Sequence, residues 1–354
     1  MKNFYLVVVF AFITSTIAAQ RVDLDKFNFS VSYRDFPVNP LPEDYKTYNV
    51  RIEASPSLGL GYTTQNMSND FFIEGLKRVE GTGHITVLLM LDDIIFEKSE
   101  MKERVQVTKD KQGNEEKKSF FSTEMVYSFA ARMSVYDYKG MTIENSKVLV
   151  DRSYKRTYKT PESNSEADAS GYYANKSNEI RTNLAKQVAA GAINEAAQWL
   201  NNEYGFPVRR VNDILWILNN KRHSSYRDHQ KAWNDFKSAI VMINENESLD
   251  AAKERMEPVI AYFEKAKKQY NGTDKESRKM RYASYYNLAK IYLYLDEPEK
   301  AMVEADALSM NDYDEKDGRY LRAAAEALQD KLRKNNADTR HFVVKADTYE
   351  SPLK

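Results

Sequence analysis

The hydrophobic period changes once along this chain, and that change limits the folds open to it. Before Pro161 the apolar residues come in short runs, partly at period two. Examples are "YKTYNVRIEA" (Tyr45 to Ala54), "ITVLLMLDDIIF" (Ile85 to Phe96) and the run in which Phe121, Met125, Tyr127 and Phe129 partly alternate. Polar turns such as "KDKQGNEE" (Lys109 to Glu116) divide them. That is the signature of strands joined in a meander. After Gly171 the spacing becomes helical, with Ile180, Leu184, Val188, Ile193, Ala197 and Leu200 on one face and Gly205 as a stop. The expected class is therefore α+β. An antiparallel, sandwich-like β domain covers 20–160 and a helical domain covers 172–335. "PESNSEADASG" (161–171) reads as a linker, and 336–354 as an edge strand or mobile tail. "FPVRRVNDILWILNNK" (Phe206 to Lys221) is ambiguous, extended at its start and open to a helix through Leu215 and Leu218.

The first residues give an address. Lys2 is a basic start, Phe4 to Ala19 is apolar, and Ile17-Ala18-Ala19 ends in small residues before Gln20. This is the pattern of a secretory signal peptide over 1–19. Its apolar run is short for a membrane span, which needs roughly 20 residues. Cleavage leaves about 335 residues, enough for two domains. The chain has no cysteine. An exported animal protein of this size would usually carry disulfides, so a bacterial envelope is the better fit. A lipid-attachment cysteine is missing as well. The 52 basic and 52 acidic residues balance, whereas a nucleic-acid binder shows a basic excess or patch.

"YYNLAKIYLYLDEPEKAMVEADAL" (Tyr285 to Leu308) reads as two helices across a tight turn. Tyr285, Leu288, Ala289 and Tyr292 share one face. Ala301, a small residue, allows close approach, and Ala305 and Leu308 continue the second helix. Asp296 is placed to cap that helix, with Glu299 three residues on and Pro298 in the first turn, where no amide bond is lost. The spacing resembles one tetratricopeptide unit. The departures are Ala305 where Phe is common, Leu308 where Ala is common, and no proline near Asp312. A weaker second unit begins at Trp233, with Phe236 and Ile240 following, and Pro258 should kink its second helix. "RYLRAAAEALQDKLRK" would close the stack.

The whole layout is similar to exported tetratricopeptide-repeat proteins of Bacteroidota. The resemblance implies a non-enzymatic scaffold or adaptor with a concave groove for a protein or peptide of the cell envelope. It places Tyr286, Asn287, Lys290 and Tyr294 on that groove as the partner-binding candidates. It implies a periplasmic or outer-membrane-associated protein of a Gram-negative bacterium, held peripherally through partners.

Catalytic and metal motifs are sparse. The four histidines are His84, His223, His229 and His341. None sits in H-E-x-x-H, thiolate ligands are missing, and neither a metal nor a cofactor is expected. "NDYDEKDGR" (Asn311 to Arg319) fails the calcium-loop spacing, since Lys316 stands where an acid is needed. The alternative function is a carbohydrate-binding or hydrolytic protein. Its site would lie in the β domain, with Asp92, Asp93, Tyr127, Tyr136 and Tyr138 lining a cleft.

Overall fold

The computed structural model describes residues 21–58 and 71–353. The leader expected over 1–19 lies outside them. The described chain is α+β. Its order is β1 (Leu24–Arg34), β2 (Thr47–Ala54), β3 (Lys77–Arg78), β4 (Ile85–Leu91), β5 (Ile95–Lys109), β6 (Glu115–Ser128), β7 (Ala131–Asp137), β8 (Thr142–Val150) and β9 (Arg156–Lys159). Then come α1 (Glu166–Glu203), β10 (Val208–Leu218), α2 (Tyr226–Ile240), α3 (Asp250–Gln269), α4 (Lys275–Tyr294), α5 (Pro298–Ser309) and α6 (Glu315–Lys334).

The chain forms two compact units, and they are not the two halves expected from the period change. Among the described residues, one holds 21–33 together with Arg209–Phe342; the other holds those of Arg34–Val208 together with the segment from Val343. Strand β1 thus belongs with helices α2 to α6. Helix α1 belongs with the sheets.

In the sheet unit, five strands run in the order β3-β2-β4-β7-β8 and three in the order β5-β6-β9. Most pairs are antiparallel, but β2 lies parallel to both β3 and β4. Parallel neighbours need a crossover rather than a tight hairpin, and residues 55–84 separate β2 from β4. Along β4, Ile85, Val87, Leu89 and Leu91 are buried while Thr86, Leu88 and Met90 are half-buried, as period two requires. The core is not closed by sheets alone. Ile180, Leu184, Val188, Ile193 and Leu200 of α1 pack into one cluster with those β4 residues and with Met125, Tyr127 and Met133. Ala196, not Ala197, fills the small position on this face. Gly205 follows α1, and a Cβ there would meet the Asn201 backbone at 2.9 Å.

Residues 161–171 are not a linker. Ser163 and Phe121 exchange two backbone hydrogen bonds of 2.8 Å. Ser165 then caps α1 by accepting from the Asp168 amide. Small polar residues serve a helix start as readily as a free segment, so the composition alone misled. The last residues are anchored too: Lys77 Nζ donates to the carbonyls of Asp347 and Tyr349 at 2.9 and 3.0 Å.

In the helical unit β1 and β10 form a two-stranded ribbon. Asn219 N–H donates to the Asp23 carbonyl at one end, and the Ser30 hydroxyl donates to Asn212 further along, so the strands run antiparallel. The ambiguous stretch after Phe206 is therefore strand through Leu218, with no helix at Leu215. Helices α2 to α6 pack each on the next. The connections between them are 241–249, 270–274, 295–297 and 310–314, and α3 continues through Pro258. Phe29 of β1 lies edge-on to Phe236 of α2 and Tyr294 of α4, with centroids 5.2 and 5.6 Å apart.

Candidate functional site: a helical face and its strand

Helix α4 is the centre of the helical unit. From Met280 to Tyr294 nearly every side chain is buried, as expected of a helix with neighbours on all sides. The four groove candidates share this fate. Asn287 is 0% exposed, and Tyr286, Lys290 and Tyr294 are each 8% exposed. They do not face an open groove. Strand β10 of the same chain lies on them.

The contact is built around the backbone of β10. The Asn287 side-chain carbonyl accepts from the Trp216 N–H at 2.9 Å, and its amide donates to the Trp216 carbonyl at 2.8 Å. One side chain thereby satisfies both polar groups of one residue, as a neighbouring strand would. Two residues on, His229 Nε2 accepts from the Leu218 N–H at 2.9 Å and Gln230 donates to the Leu218 carbonyl at 3.3 Å. The Trp216 ring packs near Tyr282 and Tyr286, at 6.0 and 6.2 Å between centroids.

Charge fixes the register. Lys290 Nζ donates to Asp213 of β10 at 2.7 Å, and the Tyr294 hydroxyl donates to the same carboxylate. Both ends of this ion pair are largely out of solvent. A buried pair gains little net stability, but it tolerates no displaced partner. Burial, and then the bond to Asp213, push the Tyr294 phenol far above its usual range. Burial does the same for Tyr286, with Asp213 adding to it. Neither tyrosine ionises at neutral pH.

His229 is held neutral. Burial pushes it down to about 4, with His223 adding to the effect. Because Nε2 accepts from Leu218, the ring proton sits on Nδ1, which faces the Tyr262 hydroxyl at 3.1 Å.

A second buried cluster closes the unit. Asp296 does not cap α5. Its side chain instead accepts from Arg340 Nε and from the Arg340 amide, both at 2.6 Å, and from the Thr339 hydroxyl at 3.0 Å. Its backbone is left-handed, with φ of 55°, which turns the carboxylate away from the α5 amides. Arg340 also donates to the Leu293 carbonyl at 2.7 Å and stacks 4.0 Å over Tyr33. His341 Nδ1 meets the Asn244 carbonyl at 2.7 Å. This stretch is therefore neither an edge strand nor a mobile tail.

The alternative residues in the sheet unit do not converge. Asp92 and Asp93 form the turn after β4, paired with Arg132 and Arg152 and with Ser55 and Ser57 respectively. Tyr136 and Tyr138 lie at the other end of the same strand pair, where Thr86 faces Tyr136. Tyr127 is buried in the core. Sequence reading missed Asp213, Trp216, His229 and Arg340. The available signal was the β-branched, aromatic run "VRRVNDILWIL", with one acid placed inside it. No protein-family model and no curated protein matches this chain.

Proposed function

We propose that this chain is an exported, non-enzymatic scaffold of a Gram-negative envelope, with a tetratricopeptide-like helical unit that works by holding an extended strand. The observation that carries this reading is the seat of β10. Asn287 pairs with both backbone polar groups of Trp216 while Lys290 and Tyr294 hold Asp213. Side chains that read backbone are what an array for extended peptides needs. Here they are committed to the chain's own ribbon. Partner contact therefore falls to the exposed residues of that ribbon, including Asn28 of β1 and Arg209 and Arg210 of β10.

Export rests on Lys2 and the apolar stretch Phe4 to Ala19. Among the described residues no helix is long and apolar enough to cross a membrane; association with the outer membrane through partners is part of the proposal. The test is affinity purification of the tagged protein from gently solubilised envelopes, read by mass spectrometry. A stoichiometric envelope protein, lost on Arg209→Glu with Arg210→Glu, is the expected result. A protein recovered alone would overturn the reading.

A further inference from the structure

The sheet unit contains a cavity of about 350 Å³ that the scaffold reading does not use. It opens between the turn after β1 and the hairpin joining β7 to β8. Leu41, Met141 and Ile143 give it apolar walls, and Tyr45 and Tyr204 give it aromatic ones. Its charged lining residues are Asp137 and Glu144. No lysine or arginine lines it, so the cavity is anionic.

The two carboxylates differ. Asp137 is largely engaged in its turn: one oxygen accepts from the amides of Lys139 and Met141 at 2.9 and 2.7 Å, and the other accepts from the Tyr45 hydroxyl at 3.2 Å. Glu144 is half-buried on β8, where its backbone pairs with Val135, and its carboxylate has no hydrogen-bond partner among the described residues. Tyr204 also lines the cavity and is only 5% exposed as a residue. Its hydroxyl is not sealed off from solvent and makes no hydrogen bond among the described residues, and it feels the charge of Glu144. Lys139 is not a lining residue; its ammonium lies 5.2 Å over the Tyr138 ring, but its charge acts on Asp137 and Tyr45, which leaves Glu144 as the carboxylate without a cation.

We propose that this cavity binds an organic cation on an apolar stem, the ammonium or guanidinium end of a lysine- or arginine-type chain. Glu144 is its counter-ion, and the Tyr204 hydroxyl accepts one of its N–H groups. A carboxylate facing a cation forms the stronger, charge-assisted kind of hydrogen bond. The tyrosine faces attract the same charge. Leu41, Met141 and Ile143 cover the methylene stem. The cation can belong to a free amine or to a side chain of another protein. This inference stands on residues of the sheet unit alone and does not depend on the scaffold reading.

Calorimetry on the full mature chain tests it. The probes are N-acetyl-lysine methylamide, 1,5-diaminopentane and the neutral isostere N-acetyl-norleucine methylamide. Saturable binding of a cationic probe is expected, with none for the norleucine compound. Glu144→Gln should weaken it about tenfold or more. Tyr204→Phe, which keeps the ring, should weaken it about threefold, the effect of one ordinary hydrogen bond. Tighter binding of the diamine assigns the site to a free amine, and tighter binding of the lysine derivative assigns it to a side chain. The proposal is overturned if neither cation binds at about 10 mM, if norleucine binds as well as lysine, or if Glu144→Gln changes nothing while circular dichroism shows the variant folded.

Discussion

Asn287 of α4 holds Trp216 of β10 by two hydrogen bonds, one to the backbone N–H and one to the backbone carbonyl, at 2.9 and 2.8 Å. The residues are 71 positions apart in the chain. That relationship makes a strand part of the helical array, and several outcomes follow from it.

Asn287→Ala should lower the unfolding free energy by about 2–4 kcal/mol, because two backbone groups lose their partner at once. Asn287→Asp should cost at least as much. It removes the donor and sets a carboxylate against the Trp216 carbonyl. Urea denaturation of both variants checks the order.

The ion pair beneath should behave as a unit. Asp213→Ala leaves the Lys290 ammonium, now 8% exposed, without its carboxylate, and should cost about 3–5 kcal/mol. In a Lys290→Met background the same substitution should cost much less. A double-mutant cycle measures the difference. Simple additivity would show that the pair is not coupled.

Stability should fall in mild acid. His229 has a folded value of about 4 against 6.5 when unfolded. Between those values the unfolded chain binds more protons, so protonation favours unfolding. The contribution is complete above about pH 6.5, declines as pH falls, and is lost by about pH 4, a change on the order of 3 kcal/mol. Burial lowers His341 in the same direction. His229→Gln should flatten this part of the denaturation-midpoint profile.

Arg340→Ala should be among the costliest changes outside the hydrophobic core. It strands the Asp296 carboxylate, whose side chain is fully buried, at about 3–5 kcal/mol. It should also loosen residues 338–342, read as faster proteolysis there. Arg340→Lys should recover little, since a lysine cannot reproduce the paired bonds to Asp296 and Leu293.

The sequence made some of this legible and hid the rest for physical reasons. The strand-forming run of β4 and the helical spacing of α1 could be read directly, whereas the two-residue alternation of burial along β4, an almost wholly apolar strand, appears only in the structure. The turn before Pro298 was legible through backbone chemistry. The misreadings share one cause, which is pairing between distant segments. Nothing local in Leu24–Arg34 says that its strand partner begins at Val208. Nothing local in α4 distinguishes a tyrosine and lysine face that waits for a partner from one already covered. Asp296 had the right position for a cap, but Arg340, 44 positions away, claims its carboxylate. The polar stretch before Glu166 had linker composition, and its role as a strand end and helix cap depends on Phe121.

The central claim is that the face carrying Asn287, Lys290 and Tyr294 is filled by β10. Hydrogen exchange read by mass spectrometry over Ile214–Leu218 tests it most directly. The account predicts that the Trp216 and Leu218 amides exchange as slowly as the middle of α4, and that Asn287→Ala speeds Trp216 selectively. Rapid exchange of these amides in the wild-type protein, with α4 still protected, would contradict it and return the face to an outside partner.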